Sequence, residues 1–311
     1  MNTEKMPVEL YLLHTEFLDE EDVFRRKLQH VSQKRRERVL AYKVREDQKR
    51  SLAAGLLLEH ILNQSRNQFI INDLKEVSTE KQQEYKQAVE KIIEGKPLQY
   101  ITNKQYFMGL CFYVDENVLI PQPDTEILVE KTLELAKQMS KNKKLKILDI
   151  GTGSGAIAIS LAKNLSNADI TALDISEEAL KVAKKNADLQ EVNINFIKSN
   201  LFENLKETKF DIIVSNPPYI ETNVIDTLEK EVQSEPWLAL DGGEDGLIFY
   251  RQILEQAKKY LNNEGYLILE IGYNQGEALI ELAKQKEWDI FNNKIIKDLS
   301  GNDRVAILSL K

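Results

Sequence analysis

Asn216-Pro217-Pro218-Tyr219 is a segment suited to holding something flat. The Asn216 amide oxygen and the Pro217 carbonyl are hydrogen-bond acceptors. Pro218 lacks an N–H and has a fixed φ, so the backbone carrying them is stiff. The Tyr219 ring can cover the plane of whatever donates to them. A carboxamide or an aromatic amine has the two coplanar N–H bonds that such a site would take. The nitrogen of either is a weak nucleophile because its lone pair is delocalised. Alkylating it requires an activated electrophile and close alignment. The plain alternative is a proline turn after a strand, with Tyr219 as surface filler.

A second cluster lies upstream. The strand-like run Lys146-Ile147-Leu148-Asp149-Ile150 leads into Gly151-Thr152-Gly153-Ser154-Gly155 and then an apolar helix from Ala156 to Ala162. Glycines let the chain turn sharply and let a ligand approach the backbone. The helix N-terminus favours an anionic group. Asp174 ends the next strand, 23 residues after Gly151, where a carboxylate can accept from both hydroxyls of a ribose. Gly151, Gly153 and Ala156 also satisfy the looser dinucleotide pattern, and Asp174 suits NAD as well. Asp149 favours S-adenosylmethionine, since a carboxylate there helps hold an ammonium and would repel a pyrophosphate. No residue stands out as a hydride-transfer acid.

The elements that must position these groups fall into two textures. Residues 8–100 read as helical, with Leu52, Leu56, Leu57, Ile61 and Leu62 at helical spacing, a turn over Asn63–Asn67 and a helix start at Ser78. Pro97 is expected to end the last of these helices. Residues 104–120 alternate, and Asp115-Glu116-Asn117 reads as the turn of a hairpin. From residue 125 strands and helices alternate, ending in two strand-like runs, Trp288–Ile296 and Arg304–Leu310. That order predicts an α/β, doubly wound, mainly parallel sheet with one antiparallel strand added by the closing hairpin. The expected division is a helical domain over 1–98, with 1–51 an atypical extension, a hairpin linker over 99–124 and an α/β domain over 125–311.

Composition narrows the setting. The chain has 311 residues, 42% hydrophobic and 30% charged, enough for a large domain and a smaller one. It has no apolar run of membrane-spanning length and no secretory pattern at Met1-Asn2-Thr3-Glu4-Lys5. With one cysteine, Cys111, the expected location is the cytoplasm. His14, His30 and His60 lack metal-ligand spacing, so no metal site is expected. Residues 23–50 carry eleven basic and three acidic side chains, leaving a net −16 on the rest. So acidic a bulk is a poor generic partner for nucleic acid.

Asp149 to Ala156, Asp174-Ile175-Ser176 and Asn216–Tyr219 together resemble class I S-adenosylmethionine-dependent methyltransferases that modify planar amide or amine nitrogens. Pro97–Ile101, Val118–Glu126, Glu235–Leu240, Gly242–Leu247 and Leu269–Gly272 with Gln275 are similar to the HemK/PrmC type, in order over residues 52–311. The resemblance implies a Rossmann-like, seven-stranded, mainly parallel sheet, an N-terminal helical domain and a linking β-hairpin. It implies methyl transfer to the glutamine side chain in the Gly-Gly-Gln loop of class 1 peptide chain release factors, a step in translation termination. Catalytic roles carry over to Asn216, Pro217 and Tyr219, with Pro218 joining them in substrate binding. Cofactor contacts carry over to Asp149, Gly151, Thr152, Gly153, Ser154, Gly155, Asp174, Asn200, Leu201 and Asn216. Gln122, Asp124 and Asn200 stand where the family usually has Arg, often has Glu and commonly has Asp. The implied partner is a release factor, with no membrane, no nucleic acid and a monomeric state. An N6-adenine methyltransferase gripping a flipped base is the leading alternative, and a non-catalytic module of the same fold is another. Residues 33–52 are similar to the opening of a phosphopantetheinyl transferase, but that family's Trp-x-x-Lys-Glu stretch is absent.

Overall fold

The computed structural model describes residues 52–65, 67–68, 77–139 and 143–310. The phosphopantetheinyl-transferase-like stretch lies outside them, apart from Leu52, as does the helical reading of 8–51. The chain divides into two compact units between Thr102 and Asn103.

The first unit is helical, with α1 over 52–62, α2 at Thr79–Ile93 and α3 at Leu98–Thr102. Leu57, Leu58 and Ile61 of α1 pack with Tyr85 and Ala88 of α2. Ser78 caps α2 by accepting from the Lys81 amide at 3.4 Å. Pro97 does not end this helix. α2 stops at Ile93, Gly95 takes φ 108, and Pro97 instead opens α3, its carbonyl accepting from the Tyr100 N–H at 3.1 Å. A proline is tolerated at a helix start because its missing N–H has no intrahelical partner there.

The second unit begins with a hairpin, β1 Gln105–Phe107 and β2 Leu110–Phe112. Its turn is Met108-Gly109, both at positive φ, rather than Asp115-Glu116-Asn117. A two-residue turn of this kind matches the twist of paired strands, whereas Asp115 to Val118 close only a local loop turn. The expected linking segment is thus drawn largely into this unit. Glu126 accepts from the Met108 N–H at 2.6 Å and Gln190 donates to the Cys111 carbonyl at 2.8 Å.

The remaining strands are β3 Leu145–Ile150, β4 Ala168–Asp174, β5 Asn195–Lys198, β6 Phe210–Ser215, β7 Leu261–Glu270, β8 Trp288–Lys297 and β9 Asp303–Leu310. They form one seven-stranded sheet in the order β5-β4-β3-β6-β7-β9-β8. The first five run parallel and β9 pairs antiparallel with both neighbours. Helices cover both faces. Ile147, Ile212, Val214 and Ile268 pack with Leu128 and Leu135 of α4 (Thr125–Met139) and Ile159 and Leu161 of α5 (Ala156–Asn164). Leu148, Ile213, Leu267 and Leu269 face α7 (Ile248–Gln256) and α8 (Gly276–Gln285). Because successive strand residues point to opposite faces, a doubly covered sheet reads as continuous apolar runs. Among the described residues no helix is long and apolar enough to cross a membrane.

Candidate active site

Five parallel strands end in a row. Asp174 pairs with Lys198, Ile150 with Leu173 and with Ser215, and Ser215 with Leu269. At those pairs or within two residues of them lie, in order across the sheet edge, Asn200, Asp174, Gly151, Asn216 and Glu270. The strand order reverses between β3 and β6, the crevice where open α/β sheets bind ligands. Gly151 and Asn216 flank that point.

On one side of the crevice the glycine loop is tied to the end of β4. The Gly151 and Thr152 amides both donate to the Leu173 carbonyl at 2.9 Å, and the Gly153 N–H donates to Asp174 Oδ2 at 2.8 Å. Gly151 and Gly153 sit at φ 72 and 54 with open space where a side chain would begin. This is a cradle shaped by the absence of side chains. Asp174 Oδ1 accepts from the Ser176 N–H at 2.9 Å, and each of its oxygens retains acceptor capacity for a diol. Burial pushes the Asp174 carboxyl upward, opposed by the amides of Ser176, Gly153 and Ile175.

Asp149 is fully buried beneath the loop. Thr152 Oγ1 donates to its Oδ2 at 2.7 Å, while Oδ1 has no hydrogen-bond partner among the described residues. Burial raises its pKa to about 7. A buried carboxylate with an orphaned oxygen under a glycine cradle is completed by a cationic group on a ligand. The donor set thus fits S-adenosylmethionine, with its ribose diol and ammonium. Asn200 is exposed and gives its Nδ2 to Glu203 Oε1 at 2.8 Å, which turns its oxygen outward as an acceptor. Leu201 takes φ 47 beside it. Ser154 and Gly155 lead into α5, and the Ser154 carbonyl is held by Asn186 Nδ2 at 2.9 Å. Asn186 sits on α6 (Glu177–Leu189) and also bonds Tyr113 in both directions, so it fastens the glycine loop to the hairpin region.

On the other side the four-residue segment is braced from several parts of the chain. Asn216 Nδ2 donates to Thr125 Oγ1 at 3.2 Å. Turns over 122–127, with the Thr125, Glu126 and Ile127 amides bonded to Gln122, Pro123 and Asp124, deliver that hydroxyl from the start of α4. No donor among the described residues reaches Asn216 Oδ1 or the Pro217 carbonyl. The Tyr219 carbonyl accepts from Gln275 Nε2 at 2.9 Å, and Gln275 also bonds the Gly246 carbonyl at 3.1 Å and the Gly272 N–H at 2.9 Å. Burial holds the Tyr219 phenol protonated, its pKa pushed up to about 12, with the nearby Arg304 charge opposing the shift. Beyond Tyr219 the chain is zipped to the 240–243 strip by Ile220 N to the Leu240 carbonyl and Gly242 N to the Ile220 carbonyl. A Cβ on Gly242 would lie 2.7 Å from Tyr219 Cα, which explains a glycine at that position.

The site residues legible in the sequence therefore gather at one edge. Thr125, Asn186, Gln275 and Arg304 were not singled out individually as site residues. Arg304 bridges Asp124 and Asp298, each at 3.0 Å. Glu270 offered a signal: a carboxylate closing the apolar run Leu267-Ile268-Leu269 is costly unless paired. Gln122 is exposed and folds onto the Ile120 carbonyl at 3.1 Å, away from the crevice contacts.

The strand order, the cradle after β3 and the carboxylate after β4 are those of a class I S-adenosylmethionine-dependent methyltransferase. Residues 129–244 match the methyltransferase small domain family and residues 43–102 the PrmC N-terminal domain. The release factor glutamine methyltransferase of Flavobacterium psychrophilum is 48% identical over 222 residues, 70% of this chain and 77% of its own. Its namesake in Thermodesulfovibrio yellowstonii is 41% identical over 251 residues, 80% and 88% of the two chains. That of Streptococcus pneumoniae is 44% identical over 248 residues, 79% and 87%. The chain belongs to the release factor glutamine methyltransferase family.

Proposed function

We propose that this enzyme moves a methyl group from S-adenosylmethionine to the side-chain amide nitrogen of the glutamine in the Gly-Gly-Gln loop of a class 1 peptide chain release factor. One observation carries the reading. Asn216 Oδ1 and the Pro217 carbonyl are both free acceptors on a stiff backbone, and the Asn216 NH₂ is already committed inward to Thr125. Each acceptor takes one N–H of the substrate carboxamide, which fixes the nitrogen and stabilises the positive charge developing on it. Tyr219, neutral and anchored at its carbonyl, covers the amide plane and excludes water. Pro218 keeps the segment rigid.

The bound cofactor supplies a methyl group on a positively charged sulfur. Asp149 would neutralise its ammonium with Thr152 and Ser154 alongside, Gly151, Gly153 and Gly155 would let it lie against the backbone, and Asp174 would accept from the ribose diol. Asn200 Oδ1 would accept from the adenine amino group, with Leu201 beside it. The methylated nitrogen carries the positive charge until, after transfer, it releases one proton to solvent.

We assign catalysis to 125–311 and substrate recognition to the helical part, with 99–124 joining them and residues 1–42, which precede the PrmC N-terminal match, needed for neither. A monomer in the cytoplasm, without nucleic acid, is the working form. The net −16 outside residues 23–50 supports a protein substrate over DNA. The test is incubation with labelled S-adenosylmethionine and either an intact release factor or DNA. Label on the release-factor glutamine alone is expected; label on adenine alone sinks the proposal. Removing residues 1–42, which precede the PrmC N-terminal match, is expected to leave the rate on an intact release factor unchanged.

A further inference from the structure

We infer that Glu270, acting through Thr125, is the positioning residue that sets which way the Asn216 carboxamide faces. The inference rests on the reading of Asn216 Oδ1 as an acceptor for the substrate amide. An asparagine side chain has two orientations of nearly equal shape. Only one presents oxygen to the substrate; the other presents NH₂ and would repel the substrate's own N–H groups.

Thr125 alone does not choose between them. Its hydroxyl can accept from Asn216 Nδ2, as it does at 3.2 Å, or rotate and donate to an oxygen. An ionised carboxylate removes the choice, because it only accepts. Glu270 is 1% exposed at the end of β7, beside Asn216 at the sheet edge, and the side chains of Thr125 and Asn216 are the polar groups that favour its charged form. The Thr125 proton is thereby drawn to Glu270, its lone pair is left for the Asn216 NH₂, and Oδ1 is turned to the crevice. The buried charge behind the carboxamide also polarises it, making Oδ1 a stronger acceptor.

The charged and titratable groups facing Glu270 come from every neighbouring element. They are Arg304 on β9, Asp124 before α4, Tyr219 after β6 and Tyr250 on α7. Burial is the largest influence and pushes Glu270 up to about 7, with Asp124 adding to it and Arg304, Thr125 and Asn216 opposing it. Oε2 has no hydrogen-bond partner among the described residues, so a proton has a place to go. A protonated Glu270 can donate, and the directional chain is lost.

The test measures kcat and KM of the full-length enzyme against pH with an intact release factor. In the wild type, kcat is expected to fall about tenfold per pH unit below about 7. Glu270→Gln keeps the shape but can donate or accept. It is expected to lower kcat by about tenfold to a hundredfold with KM and cofactor affinity within about threefold, and to abolish the acid limb. Thr125→Ser should keep both rate and limb, while Thr125→Val should lose rate. The threonine pair decides the matter if Glu270→Gln does not fold. Wild-type kcat and an intact acid limb in Glu270→Gln, or equal rates in Thr125→Ser and Thr125→Val, would overturn the inference. Those results alongside an inactive Asn216→Ala overturn only the positioning role; an active Asn216→Ala overturns the reading beneath it.

Discussion

The two halves of the crevice are built in opposite ways. The cofactor half is nearly one continuous piece of chain: β3, the glycine loop, α5 and β4 supply Asp149, Gly151, Gly153 and Asp174, tied by short backbone bonds. The acceptor half takes four residues at 216–219 and braces them with Thr125, Gly242, Gly246, Glu270, Gln275 and Arg304. Binding a cofactor needs a local shape that one strand–loop–helix unit provides. Holding a weak nucleophile in line needs rotamers locked from several directions, which one segment cannot do for itself.

If that contrast is right, damage to the halves should separate kinetically. The largest effect is expected from Asn216→Ala: kcat lower by about 10² to 10³ with the cofactor dissociation constant within about threefold. Asp174→Ala should do the reverse, weakening cofactor binding by about tenfold to a hundredfold, the loss of about 1.5–3 kcal/mol for hydrogen bonds to a charged group. Calorimetric titration beside steady-state kinetics reads both, and equal loss in the two parameters for both variants would break the comparison.

Two glycine substitutions sharpen it. Gly242→Ala sets a methyl 2.7 Å from the Tyr219 backbone, so the acceptor segment must shift. A fall of about tenfold in kcat and about 1–3 kcal/mol in stability is expected by kinetics and denaturant unfolding. Gly151→Ala meets open space at φ 72, so its cost should appear mainly as weaker cofactor binding, through strain and a filled cradle.

The smallest effect concerns a buried carboxylate outside both halves. Glu235 is buried with its Oε2 accepting the Ile120 N–H at 2.8 Å, and burial raises its pKa from 4.5 to about 7. The folded state therefore binds this proton more tightly than the unfolded chain. Its stabilising contribution is complete below 4.5 and lost as pH rises through about 7. Glu235→Gln keeps an acceptor for Ile120 and removes the charge. Its melting temperature should exceed wild type by about 2–4 °C at pH 8 and match it near pH 4.5. A gain equal at both pH values would assign the effect to packing instead.

Reading the chain alone recovered the alternating strands, because apolar runs between glycines and prolines report a doubly covered sheet directly. The pairing of Ile150 with Ser215 is what sets Asn216 beside the glycine loop. The hairpin turn was misplaced in that reading, since Asp115-Glu116-Asn117 has turn residues but Met108-Gly109 has the backbone the pairing needs. Pro97 misled because a proline that stops one helix is equally suited to start another. Thr125 and Arg304 gave no local signal, because their roles exist only relative to Asn216 and Tyr219.

What the sequence determined by itself was the chemistry on offer: a glycine cradle with a carboxylate on either side, and two carbonyl acceptors before an aromatic ring. Those follow from residue type and from neighbours a few positions away. Only the tertiary structure decided that Asn216 turns its oxygen outward, because that depends on a hydroxyl from the start of α4 and a carboxylate from the end of β7. Hydrogen-bond direction belongs to the whole network, and the network is assembled by the sheet edge.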